Sequence, residues 1–235
     1  MDSGTETLRK TKRQLAVYRQ AVLKEAFDSI DGTVGVLNDF IIDKPRNGYS
    51  PKPVKYKTNY MNLTLTATTG GVFKDGFFKF IDAEIESDSY LWVKHDDILI
   101  QRANTIDYVG TAALYTGKDN VYVYPDLMMK CHAIDSVLPQ FLIHQLHYQQ
   151  MRGYYQKNAT GTAGSMPKVN QSVVGNTPIV MTSFDTQHKI VADIEAHLSV
   201  CDSIEQTVDA ALQQAEALRQ SILKQAFEGG IMICR

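Results

Sequence analysis

Cysteine is scarce in this sequence: Cys131, Cys201 and Cys234 are the three in 235 residues. So small and odd a set does not make a disulfide framework and suits a reducing compartment, so a cytoplasmic location is expected. Long apolar runs are lacking too. None approaches the ~20 residues that cross a bilayer, and charges run through the segment where a signal peptide would carry its apolar core. Membrane-spanning and exported classes are set aside. With 44% apolar and 21% charged residues, the chain can still bury a core.

Catalytic signatures are short as well. Gly161, Gly164 and Lys168 have the wrong spacing for a phosphate-binding P-loop, and no Ser or Thr follows the lysine. Pro125-Asp126 with Lys130 is half of a metal-dependent nuclease pattern, without the carboxylate expected just before the lysine. His144 and His147 share a helix face but have no Cys, Asp or Glu close by in sequence to complete a metal set. Cys131-His132 reads as core. No Asn-Pro-Pro-Tyr element of adenine methylation occurs. No catalytic residue, metal or cofactor is expected.

Acids are missing from two windows, residues 44–74 and 136–184, although the net charge is only −2. The first window carries Lys44, Arg46, Lys52, Lys55 and Lys57 among Pro, Asn and Tyr; the second carries Arg152, Lys157 and Lys168. A carboxylate beside a phosphate costs binding energy, so acid-free basic loops suit a polyanion. Asn47, Tyr49 and Ser50 add donors for phosphates or base edges, and Pro51 and Pro53 stiffen the loop. In the second window Tyr154 and Tyr155 accompany the basic residues, and Thr162 and Ser165 add hydroxyls to a Gly-rich loop whose backbone can approach phosphate closely. Arg102 and Asn104 have the side chains that read guanine and adenine edges.

A repeat frames the chain. Arg19-Gln-Ala-Val-Leu-Lys-Glu-Ala-Phe27 returns as Arg219-Gln-Ser-Ile-Leu-Lys-Gln-Ala-Phe227, identical at six of nine positions. Both copies are rich in helix formers and end before glycine. Ile204, Val208, Ala211, Ala215, Leu218 and Ile222 follow coiled-coil spacing, with a slip near Cys201, within a predicted helix over 186–227. Leu8, Leu15, Tyr18 and Val22 form the matching seam on a helix over 5–28. A seam that long needs a partner helix, within the chain or from a second copy. Between the helices, residues 33–180 read as mixed α/β. Strands are expected over 62–69, 98–100 and 121–124, and a helix capped by Ser136 follows.

Several segments carry a resemblance. Arg46-Asn-Gly-Tyr-Ser-Pro-Lys-Pro53, Asp97-Ile-Leu-Ile-Gln-Arg-Ala-Asn104, Tyr108-Val-Gly110, the Gly-rich Thr160–Lys168 loop and Gln187-His-Lys-Ile-Val191 occur in the order found in specificity subunits of type I restriction–modification enzymes, which the chain resembles. The resemblance implies an α+β fold: one target recognition domain over 33–185, flanked by conserved-region helices over 1–32 and 186–235 that form an antiparallel coiled coil. Family members usually carry two such domains, so this chain looks like half a subunit. The implied role is non-catalytic recognition of one half of a bipartite site on double-stranded DNA. The helices would dock methyltransferase subunits, and through them the restriction (translocase–nuclease) subunit, with two copies pairing as a homodimer. The other reading is a coiled-coil scaffold whose insert binds protein.

Overall fold

The computed structural model describes residues 2–161 and 166–232, so Thr162 and Ser165 lie outside the described residues. The chain divides into two compact units, residues 23–191 and residues 1–22 with 192–235. Two long helices belong to both: α1 (Asp2–Asp28) and α5 (Phe184–Met232).

The larger unit is built on a four-stranded antiparallel sheet with order β2-β8-β5-β6, comprising β2 (Arg46–Asn47), β5 (Asp97–Gln101), β6 (Ala112–Leu114) and β8 (Met128–His132). Every residue of β5 is buried, which explains why it reads as an apolar run rather than an alternation. Ile98, Ile100, Met129 and Cys131 form one core with Leu142, Ile143 and Leu146 of α2 (Pro139–Met151). Leu99 and Met128 form a second core with Leu63, Val93, Tyr115 and Tyr124. That second core includes residues of a smaller sheet in which β3 (Tyr60–Leu63) lies between antiparallel β4 (Phe78–Ile81) and parallel β7 (Tyr122–Val123). Near its two ends the unit is closed by antiparallel β1 (Thr33–Val36) and β9 (Pro178–Met181), so chain entry and exit are neighbours.

Three expectations change. The strand expected over 62–69 stops at Leu63, where a 3-10 turn over Leu65–Ala67 begins; Thr68 and Thr69 hydroxyls bond the Leu65 carbonyl, competing with a ladder. Ser136 does not cap α2. Leu138 precedes the helix, and its N–H donates to buried Gln187 Oε1 at 2.9 Å from the start of α5. The larger unit also begins inside α1, because Phe27 packs on Phe141 and Tyr148 with ring centroids 5.8 and 5.5 Å away, and Tyr148 donates its hydroxyl hydrogen to Asp28.

In the smaller unit α1 and α5 run antiparallel. Lys12 meets Asp209 at 2.8 Å, Arg19 meets Asp202 at 2.7 Å and Glu205 at 2.9 Å, and Tyr18 faces His197. The charges choose this pairing: residues 7–24 hold no acid, and residues 190–218 hold no Lys or Arg. Buried Ile194, Cys201 and Val208 repeat every seven residues and face buried Leu15 and Val22, with Leu8, Ala211 and Ala215 half-buried. The expected slip at Cys201 is absent. Half-buried Glu205 takes the intermediate position, made tolerable by Arg19 and Lys12, whereas apolar Ile204 points outward. Ile204, Leu218, Ile222 and Tyr18, expected in the seam, are therefore exposed within this chain.

Candidate nucleic-acid interface

The first acid-free window packs on the turn between β7 and β8, and the second is joined to that turn through Arg102. Gly48 lies so close to the backbone of this turn that a Cβ there would stand 2.0 Å from the Tyr124 carbonyl oxygen, and the next residue, Tyr49, donates its N–H to that same oxygen. One residue on, Ser50 Oγ donates to Asp126 Oδ1 at 2.5 Å and accepts from the Asp126 N–H at 3.0 Å. Arg102 then joins the turn. Its N–H bonds the Leu127 carbonyl, and its Nη1 donates to the Asp126 carbonyl at 3.4 Å. From Arg102 the connection reaches the second window: the Arg102 carbonyl accepts from Val169, Ala103 bridges to Lys168, and Thr160 pairs with Lys168. Ser50, Asp126, Arg102 and Lys168 thus form one continuous ridge.

Other expected residues extend it or fall away. Exposed Lys52, Lys55 and Lys57 follow Ser50 along the edge of β4, where Val54 and Pro53 pair with Phe80 and Ile81 and the Tyr56 hydroxyl bonds Asp82. A cleft of about 400 Å³ opens beside this stretch, lined by Ser50, Pro51, Asn62, Lys79 and Pro125. Asn62 is buried, donates to the Tyr49 carbonyl at 2.7 Å and so holds the loop. Asn47 precedes it, half-buried. Lys44 and Arg46 instead line a separate cavity, with the Arg46 guanidinium stacked 3.7 Å over exposed Tyr90.

Asn104 is half-buried and donates to Gln101 Oε1 at 2.6 Å while its own oxygen takes the Thr105 N–H, so it shapes the loop. Tyr155 is a correction: it is fully buried, its hydroxyl bonds Thr177, and burial pushes its phenol pKa up. Gly110, at φ +82°, exists to receive it, since a Cβ there would stand 2.1 Å from the ring. Tyr154 is half-buried with its hydroxyl on the Val173 carbonyl, and Arg152 is engaged by Tyr148 at the end of α2. Exposed Lys157 lies in α3 (Tyr154–Asn158).

The catalytic fragments noted in the sequence are dispersed. Lys130 turns away from Asp126 to the buried carboxylate of Asp97 at 2.9 Å and the Trp92 carbonyl at 2.7 Å; His132 bonds the other Asp97 oxygen. Cys131 is buried, and desolvation raises its thiol to about 12. His144 and His147 are packed inside, His147 against the Ala112 carbonyl, and burial drives His144 down to about 4. Sequence reasoning passed over Asp126 because it looked for a nuclease around it. Ile106, Tyr108 and Met166 are also exposed; Tyr108 and Met166 fall in segments that carried the resemblance, but nothing in the sequence set them apart as surface residues.

Fold and ridge define a class: an α+β head carried between long helices, with its basic loops gathered on one turn. No family model matches the chain. It is similar to the type I restriction enzyme EcoKI specificity subunit of Escherichia coli K12, 23% identical over an alignment 243 positions long that covers 97% of this chain and 52% of that protein. It is also 27% identical over 140 residues, 58% of this chain and 30% of the relative, to the StySPI specificity subunit of Salmonella potsdam. Among solved structures, the HsdS subunit from Thermoanaerobacter tengcongensis superposes with a TM-score of 0.60 at 15% identity, covering 97% of this chain and 54% of that one. A chain from a type I R-M system superposes with a TM-score of 0.64 at 15% identity, covering 96% and 56%. The resemblance to type I specificity subunits and the expected fold class both hold, and the chain spans about half the length of the curated relatives it matches.

Proposed function

We propose that this chain is a non-catalytic DNA-recognition subunit of a type I restriction–modification system. Residues 33–185 act as the target recognition domain and read one half of a bipartite site. The observation that carries the reading is the ridge: two loops far apart in sequence, both free of acids, are joined through Asp126 and Arg102, with Ser50 at one end and Lys168 at the other. Lys52, Lys55, Lys57 and Lys168 neutralise phosphates, while Arg102 reaches base edges. The helices dock the methyltransferase subunits, which modify adenine and recruit the restriction subunit, in the cytoplasm. The exposed residues Tyr18, Ile204, Leu218 and Ile222 supply apolar surface for a second copy, giving a two-fold dimer with inverted reading heads.

Methylation mapping with co-assembled methyltransferase subunits tests this. The expected target is a palindrome interrupted by a spacer, because protein two-fold symmetry maps onto the site. A contiguous or asymmetric target for the homodimer contradicts the reading.

A further inference from the structure

Asp126 is out of place on a phosphate-binding surface. It is exposed, it lies against one acid-free loop and is linked to the other through Arg102, and a carboxylate there repels the backbone of a duplex. Yet the fold takes trouble to position it. Ser50 bonds both its N–H and its Oδ1, while Oδ2 accepts from no described residue. Beside it Arg102 is anchored by its backbone on both sides, to Leu127 and Val169. The guanidinium reaches the carbonyl of Asp126, not its carboxylate; the two form no ion pair. Arg102 is half-buried, with Nε enclosed and without a partner among the described residues, so the outer edge of the guanidinium beside the unpartnered Asp126 Oδ2 is what remains for a ligand that offers both complements.

The edge of a G·C pair in the major groove is such a ligand. Guanine presents the acceptors O6 and N7, which an arginine fork matches, and cytosine presents the N4 amine, which a carboxylate accepts. We propose that Asp126 and Arg102 are the specificity-determining pair for one G·C position of the half-site, Asp126 taking the cytosine amine and Arg102 the guanine edge. This rests on the recognition reading above and adds to it a base and a residue.

The test is selection from randomised duplexes by the full chain assembled with type I methyltransferase subunits, for the wild type, Asp126→Asn, Asp126→Ala and Ser50→Ala. The wild type selects a site with a fixed G·C pair. Asp126→Asn keeps an acceptor for Ser50, but asparagine pairs with adenine N6 and N7, so preference at the cytosine shifts to adenine. Asp126→Ala loses about 5- to 150-fold of the discrimination there, with other positions unchanged. Ser50→Ala blurs the same position without choosing a new base. If Asp126→Asn and Asp126→Ala select the wild-type sequence, or Asp126→Ala weakens all positions alike, Asp126 only holds the loop and the pairing is wrong. A wild type that selects no sequence defeats the recognition reading itself, and this pairing with it.

Discussion

Asp97 shows how one residue fixes the centre of the head. Its carboxylate is buried and accepts from Lys130, His132 and the Lys94 N–H, so the end of β5 is tied to β8 and to the preceding turn. Removing one member of a buried ion pair strands the other, which costs ~3–5 kcal/mol. Asp97→Ala should lower stability by that amount in urea unfolding. His144 gives a second prediction, with a definite sign. Burial lowers its pKa to about 4, below the ordinary value of 6.5. The unfolded chain therefore takes up a proton in this range before the folded one does. Stability is complete above pH ~6.5 and falls as pH drops toward 4. From pH 7 to pH 5 this residue should account for a loss of about 2 kcal/mol. His144→Leu should flatten that part of the pH–stability profile; an unchanged slope would deny the effect.

At the scale of elements, the repeat offers a controlled comparison. Phe27 and Phe227 end the two copies of the repeat, but Phe27 is buried against Phe141 and Tyr148 while Phe227 is 72% exposed. Phe27→Ala should cost ~3–5 kcal/mol and Phe227→Ala less than ~0.5 kcal/mol in dilute monomer, measured by unfolding. The helix pair is set by charge as well as by its seam. Arg19→Glu puts like charges against Asp202 and Glu205, and a further Glu205→Arg should recover much of the lost stability. Both long helices were legible in the sequence, since repeat and spacing agree over many residues, although α5 runs on through Gly229 and Gly230 to Met232 instead of stopping before them. The register was not: apolar periodicity selected Ile204, whereas Arg19 and Lys12 draw Glu205 inward. Short β2 and β6 escaped for a different reason. Two- or three-residue strands are specified by partners distant in sequence, so they leave no local period.

At the scale of the molecule, the surface residues were readable as a type and unreadable as an assembly. Missing acids marked both windows, but only the fold reveals that Ser50 and Lys168 are linked through Arg102 while Tyr155 is buried in the core. The head is balanced in charge, with 14 basic and 14 acidic residues over 33–185, so the proposed DNA binding would depend on where its cations gather rather than on net charge. The most direct test is the salt dependence of duplex binding by the chain in complex with methyltransferase subunits, for the wild type and for Lys52→Ala with Lys168→Ala. Each lost phosphate contact lowers the slope of log K against log salt by about one. The account predicts weaker binding with a slope reduced by about two and an unchanged sequence preference. The same affinity and slope in the double variant would contradict it.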